Sequence, residues 1–486
     1  MSDRIILGTR KGAIFVDRVS GRWKITNVAH AGTPISYAAC DARDGTIWAA
    51  LDHGHWGCKL SRSRDGGRTW QDAGQIKYPD GARYIDGYEG QGDAPKAPKI
   101  KDATLGKIWC LAFGGADQPG RIYAGTIPGG LFVSNDGGDS WKLNMPLWNH
   151  ESRGGDLSRG TPGQSHWFGG GATVDGDSAP GIHSVVVDPR NSKRILVGVS
   201  CAGVLESTDD GRTWVGRNKG LKATFLPNPD AEWGHDPHHV NLCAGNPDHV
   251  WQQNHCGVFY SSDGSKTWRE VSKPDTGVHF GFPVAVDEND GRQAWLVPGM
   301  SDAVRMTIEG ALFVAHTRDG GQSWQHQREG LPQQRAHDVV YRHAFDKAGD
   351  SLAFGSTTGN VYVSDSRGAA WHTLGNSLPP VYSVRFATTE ASEKSPTGNL
   401  KQPSTSKAAK SGNKSPERKQ RARATKKKAA RKKAKPSPGR KAGGSKKSTP
   451  KAKKAAPKNA KNAAKRPVKR AAKKSAKKPK AKPRKR

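Results

Sequence analysis

Histidines and acids supply most of the chemistry-bearing side chains of this chain, and they gather in a few stretches. The densest is "WGHDPHHV", residues 233–240, where alternating side chains would send His235, Asp236 and His239 towards one point. Imidazole with carboxylate suits a divalent ion. No HExxH or Cys–His spacing accompanies the cluster. Hydrogen-bonded histidines are therefore the first reading and a metal the second, and the sequence requires no cofactor. Asp86, Glu89, Asp236 and Asp338 are the candidate catalytic acids, because glycoside hydrolysis needs two carboxyls about 5–9.5 Å apart across the scissile bond. Acids in loops are otherwise solvated or cap turns. No GxxxxGK[ST] or GxGxxG opens a helix, and "GQSHW" (163–167) lacks the second glycine of a nucleophile elbow, so Ser165 takes no catalytic role.

A repeat must position these groups. Aligned on tryptophan, the chain reads "SRDGGRTW" (63–70), "SNDGGDSW" (134–141), "STDDGRTW" (207–214), "SSDGSKTW" (261–268) and "TRDGGQSW" (317–324). A sixth copy, "SDSRGAAW" (364–371), has Ser366 where the aspartate belongs, and "DRVSGRW" (17–23) is a shortened seventh. Two short alternating apolar runs precede each turn and a third lies upstream, as in "IHSVVVDP", "RILVGVS" and "GVLES". That predicts four strands per unit: A, B, C, the turn, then D opening at the tryptophan. Glycine supplies positive φ in the C–D hairpin, the Asp carboxylate accepts from the turn's own amides, and the Trp is an apolar plate between units. One such unit cannot bury both faces, so several must stack radially into a propeller.

These turns resemble the Asp-box, or bacterial neuraminidase repeat, of sialidases, sortilin-type receptors, xyloglucanases and a photosystem assembly factor. The resemblance covers residues 1–390 and implies a sialidase-like β-propeller in which the box is a fastener remote from the chemistry. A sialidase proper would add an arginine triad, a Tyr–Glu pair and an N-terminal Arg-Ile-Pro. Here Arg-Ile occurs in "DRIIL", "GRIYA" and "KRILV", never before proline, which argues against that activity. The chain opens on a B-type strand, "RIILGTR", and its missing A strand is available at "VYSVRFA" (381–387). The expected fold is therefore all-β: a seven-bladed β-propeller whose termini share one blade, over residues 1–390. A disordered basic segment, 391–486, follows.

The Trp-to-Trp intervals place two long insertions in D–A connections, 75–106 and 149–181, and a shorter one, 297–310, lies between B and C. In an antiparallel blade both kinds of connection emerge on the face opposite the tight turns, so that face is the expected binding surface. The funnel there is expected to be lined by His183, His235, His238, His239, His255, His279, His337 and His343, joined by Asp86, Glu89, Glu232, Asp236, Asp302 and Asp338, with Arg305, Arg335 and Arg342 nearby. Both charge signs suit a glycan or an anionic small molecule.

Of the 78 Lys and Arg, 38 lie in residues 391–486 together with two acids, a net of +36 there against −2 before it. That segment has no aromatic residue and cannot bury a core. It resembles the Lys-Ala-Pro tails of linker histones and of some bacterial DNA-associated proteins. Lys426, Lys427, Lys428, Arg431, Lys432, Lys433, Lys473, Lys474, Lys477 and Lys478 are the expected nucleic-acid contacts, to phosphate of DNA or RNA rather than to sequence. A random coil of this length spans about 55 Å. No signal peptide or membrane span is legible, and the six cysteines form no CxxC pair. The expectation is a cytoplasmic, nucleoid-associated monomer with reduced thiols. Its expected function is that of a binding or scaffold propeller, with a glycan hydrolase, exo-sialidase-like or other, as the alternative.

Overall fold

A computed structural model describes residues 2–89, 97–159, 162–167 and 180–388. The basic segment and its candidate contacts lie outside the described residues, as does the middle of the second long insertion. Among the described residues, seven four-stranded antiparallel sheets form, with one further two-stranded hairpin. The inner strands are Val381–Ala387, Ile35–Cys40, Lys107–Phe113, Ile182–Asp188, Pro237–Cys243, Gly281–Val286 and Phe345–Ala348, for the first to seventh blades in turn. The ring closes as the sequence predicts. Val381–Ala387 pairs antiparallel with Arg4–Thr9, so the first blade takes its inner strand from one end of the propeller and its other three from the opposite end. This removes the exposed sheet edge an open array would keep. The first long insertion forms the hairpin, Arg83–Glu89 with Ala97–Asp102.

The tight turns show why their residue types recur. In the second blade the Ser63 hydroxyl donates to the Asp65 carboxylate at 2.8 Å and accepts from the Gly67 amide, while the Arg68 and Thr69 amides also donate to Asp65. The same pattern holds around Asp136, Asp209, Asp263 and Asp319. In the sixth copy Ser366 does part of the work, accepting from the Ala370 amide at 3.1 Å. Two consecutive residues after the Asp take positive φ, as at Gly137 (70°) and Gly138 (87°). At Gly138 the second must also lack a side chain, because a Cβ there would stand 2.4 Å from the buried Trp48 ring of the preceding blade, whereas the fifth blade carries Ser265 at this position.

The first left-handed residue has a second use. Its carbonyl accepts from the preceding blade: Gly66 from Arg4 at 3.0 Å, Gly137 from Arg62 at 2.6 Å, Gly264 from Arg194 at 2.7 Å, Gly320 from Arg269 at 2.8 Å, and Arg367 from Gln327 at 2.9 Å. In "STDDGRTW" that position is Asp210, whose carboxylate pairs with Arg121 instead. At the closing seam Asp365 of the seventh blade accepts from Arg18 and Trp23 of the first. Each seam thus carries a polar tie beside the tryptophan and aliphatic core packed between blades, in which Trp48, Trp251 and Trp295 are fully buried. All six cysteines are free. No helix of the described residues is long and apolar enough to cross a membrane.

Candidate functional site

The inner strands aim a set of polar and aromatic side chains at the axis. Tyr37, Trp109, His183, His239, Phe282 and Arg385 come from six of them, and His343 stands just before the seventh. The residues leading into that seventh strand turn across the axis. His343 bridges in parallel to Ser383 of the first blade, and its Nε2–H donates to the His183 carbonyl three blades away at 2.6 Å. Arg385 donates to the His343 carbonyl and to the Tyr37 hydroxyl, and Arg342 donates through Nε to the His238 carbonyl at 2.8 Å. The Arg342 guanidinium also lies over the Trp109 ring, 4.6 Å from its centroid. Burial holds His183 and His343 well below the ordinary imidazole range, and with the help of Arg385 and Arg342 brings His239 down to about 3. These are neutral rings inside a polar plug. Of the residues expected to line the funnel, His183, His235, His239 and His343 are buried side chains, while Glu232, Asp302, Arg305, Arg335 and His337 are exposed and His255, His279 and Arg342 lie between.

At the edge of the plug three ligand atoms converge. Asp236 Oδ2 lies 3.4 Å from His238 Nε2 and 3.5 Å from His255 Nδ1, and all three atoms are within 4.8 Å of one another. His238 and His255 replace the expected His235 and His239. His235 Nε2 instead donates to the Ala231 carbonyl at 2.7 Å, and His239 Nδ1 accepts from the Val284 amide at 3.3 Å. The cause is a register shift at the start of the fifth inner strand, between Pro237 and His239, which breaks the simple alternation assumed from the sequence. Asp236 precedes the strand, and its Oδ1 accepts from the Cys201 amide. Burial alone would raise the Asp236 pKa, but His238, His255 and Arg342 outweigh it and hold the carboxyl well below its usual range. Burial lowers His238, whereas the contact with Asp236 raises His255. Around them stand Phe225, Phe280 and Phe282, the last stacked on His238 at 4.6 Å.

The other candidate acids are engaged elsewhere. Asp86 pairs with Lys101 at 2.6 Å across the inserted hairpin. Asp338 is buried and accepts from Thr358 Oγ1 and Asn360 Nδ2, both at 2.8 Å. The Glu89 side chain lies outside the described residues. On the rim, Asp302 pairs with Arg305, which lies over Phe282. Sequence reasoning passed over one rim residue, Trp56, which is 71% exposed in the B–C connection of the second blade. Its signal was present in "DHGHWG": an aromatic residue in a polar loop of the insertion-bearing face.

No protein-family model matches the chain, and no curated protein matches it by sequence. Among solved structures it is similar to the periplasmic gluconolactonase of Pseudomonas aeruginosa, at 12% identity and TM-score 0.47, covering 80% of this chain and 99% of that one. It is similar to YCF48 from Cyanidioschyzon merolae at 16% identity and TM-score 0.41, covering 74% and 87%. An ancestral GH74 enzyme shares 16% identity at TM-score 0.45 over 73% of this chain, which spans only 38% of that enzyme's length. Likenesses at this level carry nothing about activity.

Proposed function

We propose that this chain is a binding or scaffold propeller that presents its D–A and B–C face to a ligand and is held near DNA or RNA by its basic C-terminal segment. The engaged state of the candidate acids favours binding over hydrolysis. Asp86 is ion-paired, Asp338 is a buried acceptor and Asp236 is clasped by two histidines, so none of the three stands free to act as acid or base. The same face carries exposed apolar side chains in its connections: Trp56, Phe225, Met300 and Val304. Apolar surface beside Arg305, Asp302 and Glu232 suits a glycan or an anionic small molecule. The cationic segment supplies grip on phosphate, which weakens steeply with salt because bound counterions are released on contact.

Two measurements test this. Binding of duplex DNA and of RNA by the full chain and by residues 1–388 is compared across a salt series. Salt-sensitive affinity confined to the full chain is expected, and equal binding by both forms refutes the nucleic-acid part. A panel of glycosides is then offered to the full chain and to its Asp236→Asn and Asp338→Asn variants. Turnover that either substitution abolishes would replace the binding reading with a hydrolytic one.

A further inference from the structure

We propose that Asp236, His238 and His255 form a mononuclear site for a divalent transition-metal ion of the zinc class, opening on the insertion-bearing face. The spacing is the first support. A tetrahedral ion with bonds of about 2.0–2.1 Å holds its ligand atoms about 3.3–3.4 Å apart. The two edges from Asp236 Oδ2, 3.4 and 3.5 Å, fit that separation. Direct charged hydrogen bonds would close to about 2.7–2.9 Å.

The direction of the His238 ring is the second support. Its Nδ1 sits 2.6 Å from the Gly281 carbonyl, which can only accept, so Nδ1 carries the proton. Nε2 is thus the ring atom left to face the Asp236 carboxylate, with the His238 side chain only 4% exposed and that of Asp236 14%. A cation between them would take both as ligands. Imidazole held through its far nitrogen by a backbone carbonyl is also how metal-ligating histidines are oriented. The Cys201 amide fixes the other Asp236 oxygen, and the His255 amide donates to the Asp236 carbonyl at 2.9 Å, so both ligand-bearing segments are braced. Three protein ligands leave a coordination position free for water or an anionic oxygen donor, as in sites that bind or transform ligands. His255, 28% exposed, gives the route in.

The test uses the full-length, tag-free chain, stripped with EDTA and titrated with Co2+, then with competing Zn2+. One equivalent of Co2+ is expected, with the visible bands of a four- or five-coordinate ion, displaced by Zn2+. His255→Gln should weaken affinity at least about 100-fold while circular dichroism stays unchanged, since second-shell losses alone reach 10–100-fold. His255 is partly exposed, so this variant remains informative even if Asp236→Asn fails to fold. Three outcomes would overturn the proposal: no stoichiometric binding at micromolar metal, affinity untouched in His255→Gln, or a thiolate charge-transfer band placing the ion on cysteine.

Discussion

Arg194 offers the sharpest test of the seam ties. Its side chain is 12% exposed and reaches four partners: Glu206 through Nε at 2.6 Å, Asp188 through Nη1 at 2.8 Å, and, in the next blade, the Pro247 carbonyl through Nη1 at 3.3 Å and the Gly264 carbonyl through Nη2 at 2.7 Å. Asp188 and Glu206 are 2% and 4% exposed. Removing the partner of a buried charge costs about 3–5 kcal/mol. Here each carboxylate keeps a second arginine, Arg190 for Asp188 and Arg217 for Glu206, so Arg194→Met should cost about 2–4 kcal/mol. With an unfolding entropy of about 2.1 cal/mol/K per residue over about 390 residues, that is a fall in Tm of about 2.5–5 °C. Differential scanning calorimetry reads it. Arg194→Lys should recover little, because a single ammonium nitrogen cannot reach partners set around the three nitrogens of a planar fork. Arg190, whose side chain is 49% exposed, is the control: Arg190→Met should cost at most about 1 kcal/mol. Equal Tm values for the Arg194 and Arg190 variants would refute the idea that the buried fork, rather than charge in general, holds the seam.

Three further outcomes follow from the tight turns. Gly138→Ala combines a left-handed backbone with a Cβ pressed on Trp48, and should cost about 2–4 kcal/mol by urea titration. Restoring the sixth turn with Ser366→Asp and Ala370→Thr supplies the acceptor and hydroxyl that the other copies have, and should raise stability by about 1 kcal/mol in the same assay. Hydrogen bonds from Thr213 lower Asp209 to about 2, and those from Ser323 outweigh burial to bring Asp319 to about 2. Both folded values lie below the unfolded carboxyl range of about 3.9, so this stability is complete above about pH 4 and disappears as pH falls towards 2. The Tm of Asp209→Asn/Asp319→Asn should accordingly fall less steeply than the parent's between pH 4 and pH 2.

The ring was legible because its punctuation is local. Each short turn with its tryptophan fixes a hairpin from a handful of adjacent residues, and a three-stranded first unit with one spare strand at the far end leaves one closure. The site was legible only in outline. The sequence reading put Asp236 and His255 among the funnel residues, but which side chains meet turned on a one-residue register shift at Pro237, which no alternation pattern encodes. The plug was harder still, since the reach of His343 to the His183 carbonyl joins residues 160 positions apart. Asp338 is a candidate acid in the sequence and accepts from Thr358 and Asn360 in the structure, a contact that requires knowing where the B–C connection of the seventh blade comes to lie. The arginine ties were invisible for the same reason: Arg62 and Gly137 are unremarkable until neighbouring sheets are set side by side.

Those ties also bear on how the propeller comes apart. A linear array of repeats frays from its ends, because terminal units have one neighbour and can melt alone. Here the Asp365 contact with Arg18 and Trp23, together with the borrowed strand Val381–Ala387, leaves no unit terminal. Loss of any wedge strands two neighbours at once. The wheel should therefore yield as a whole, in a single sharp transition, rather than shed its sectors in succession.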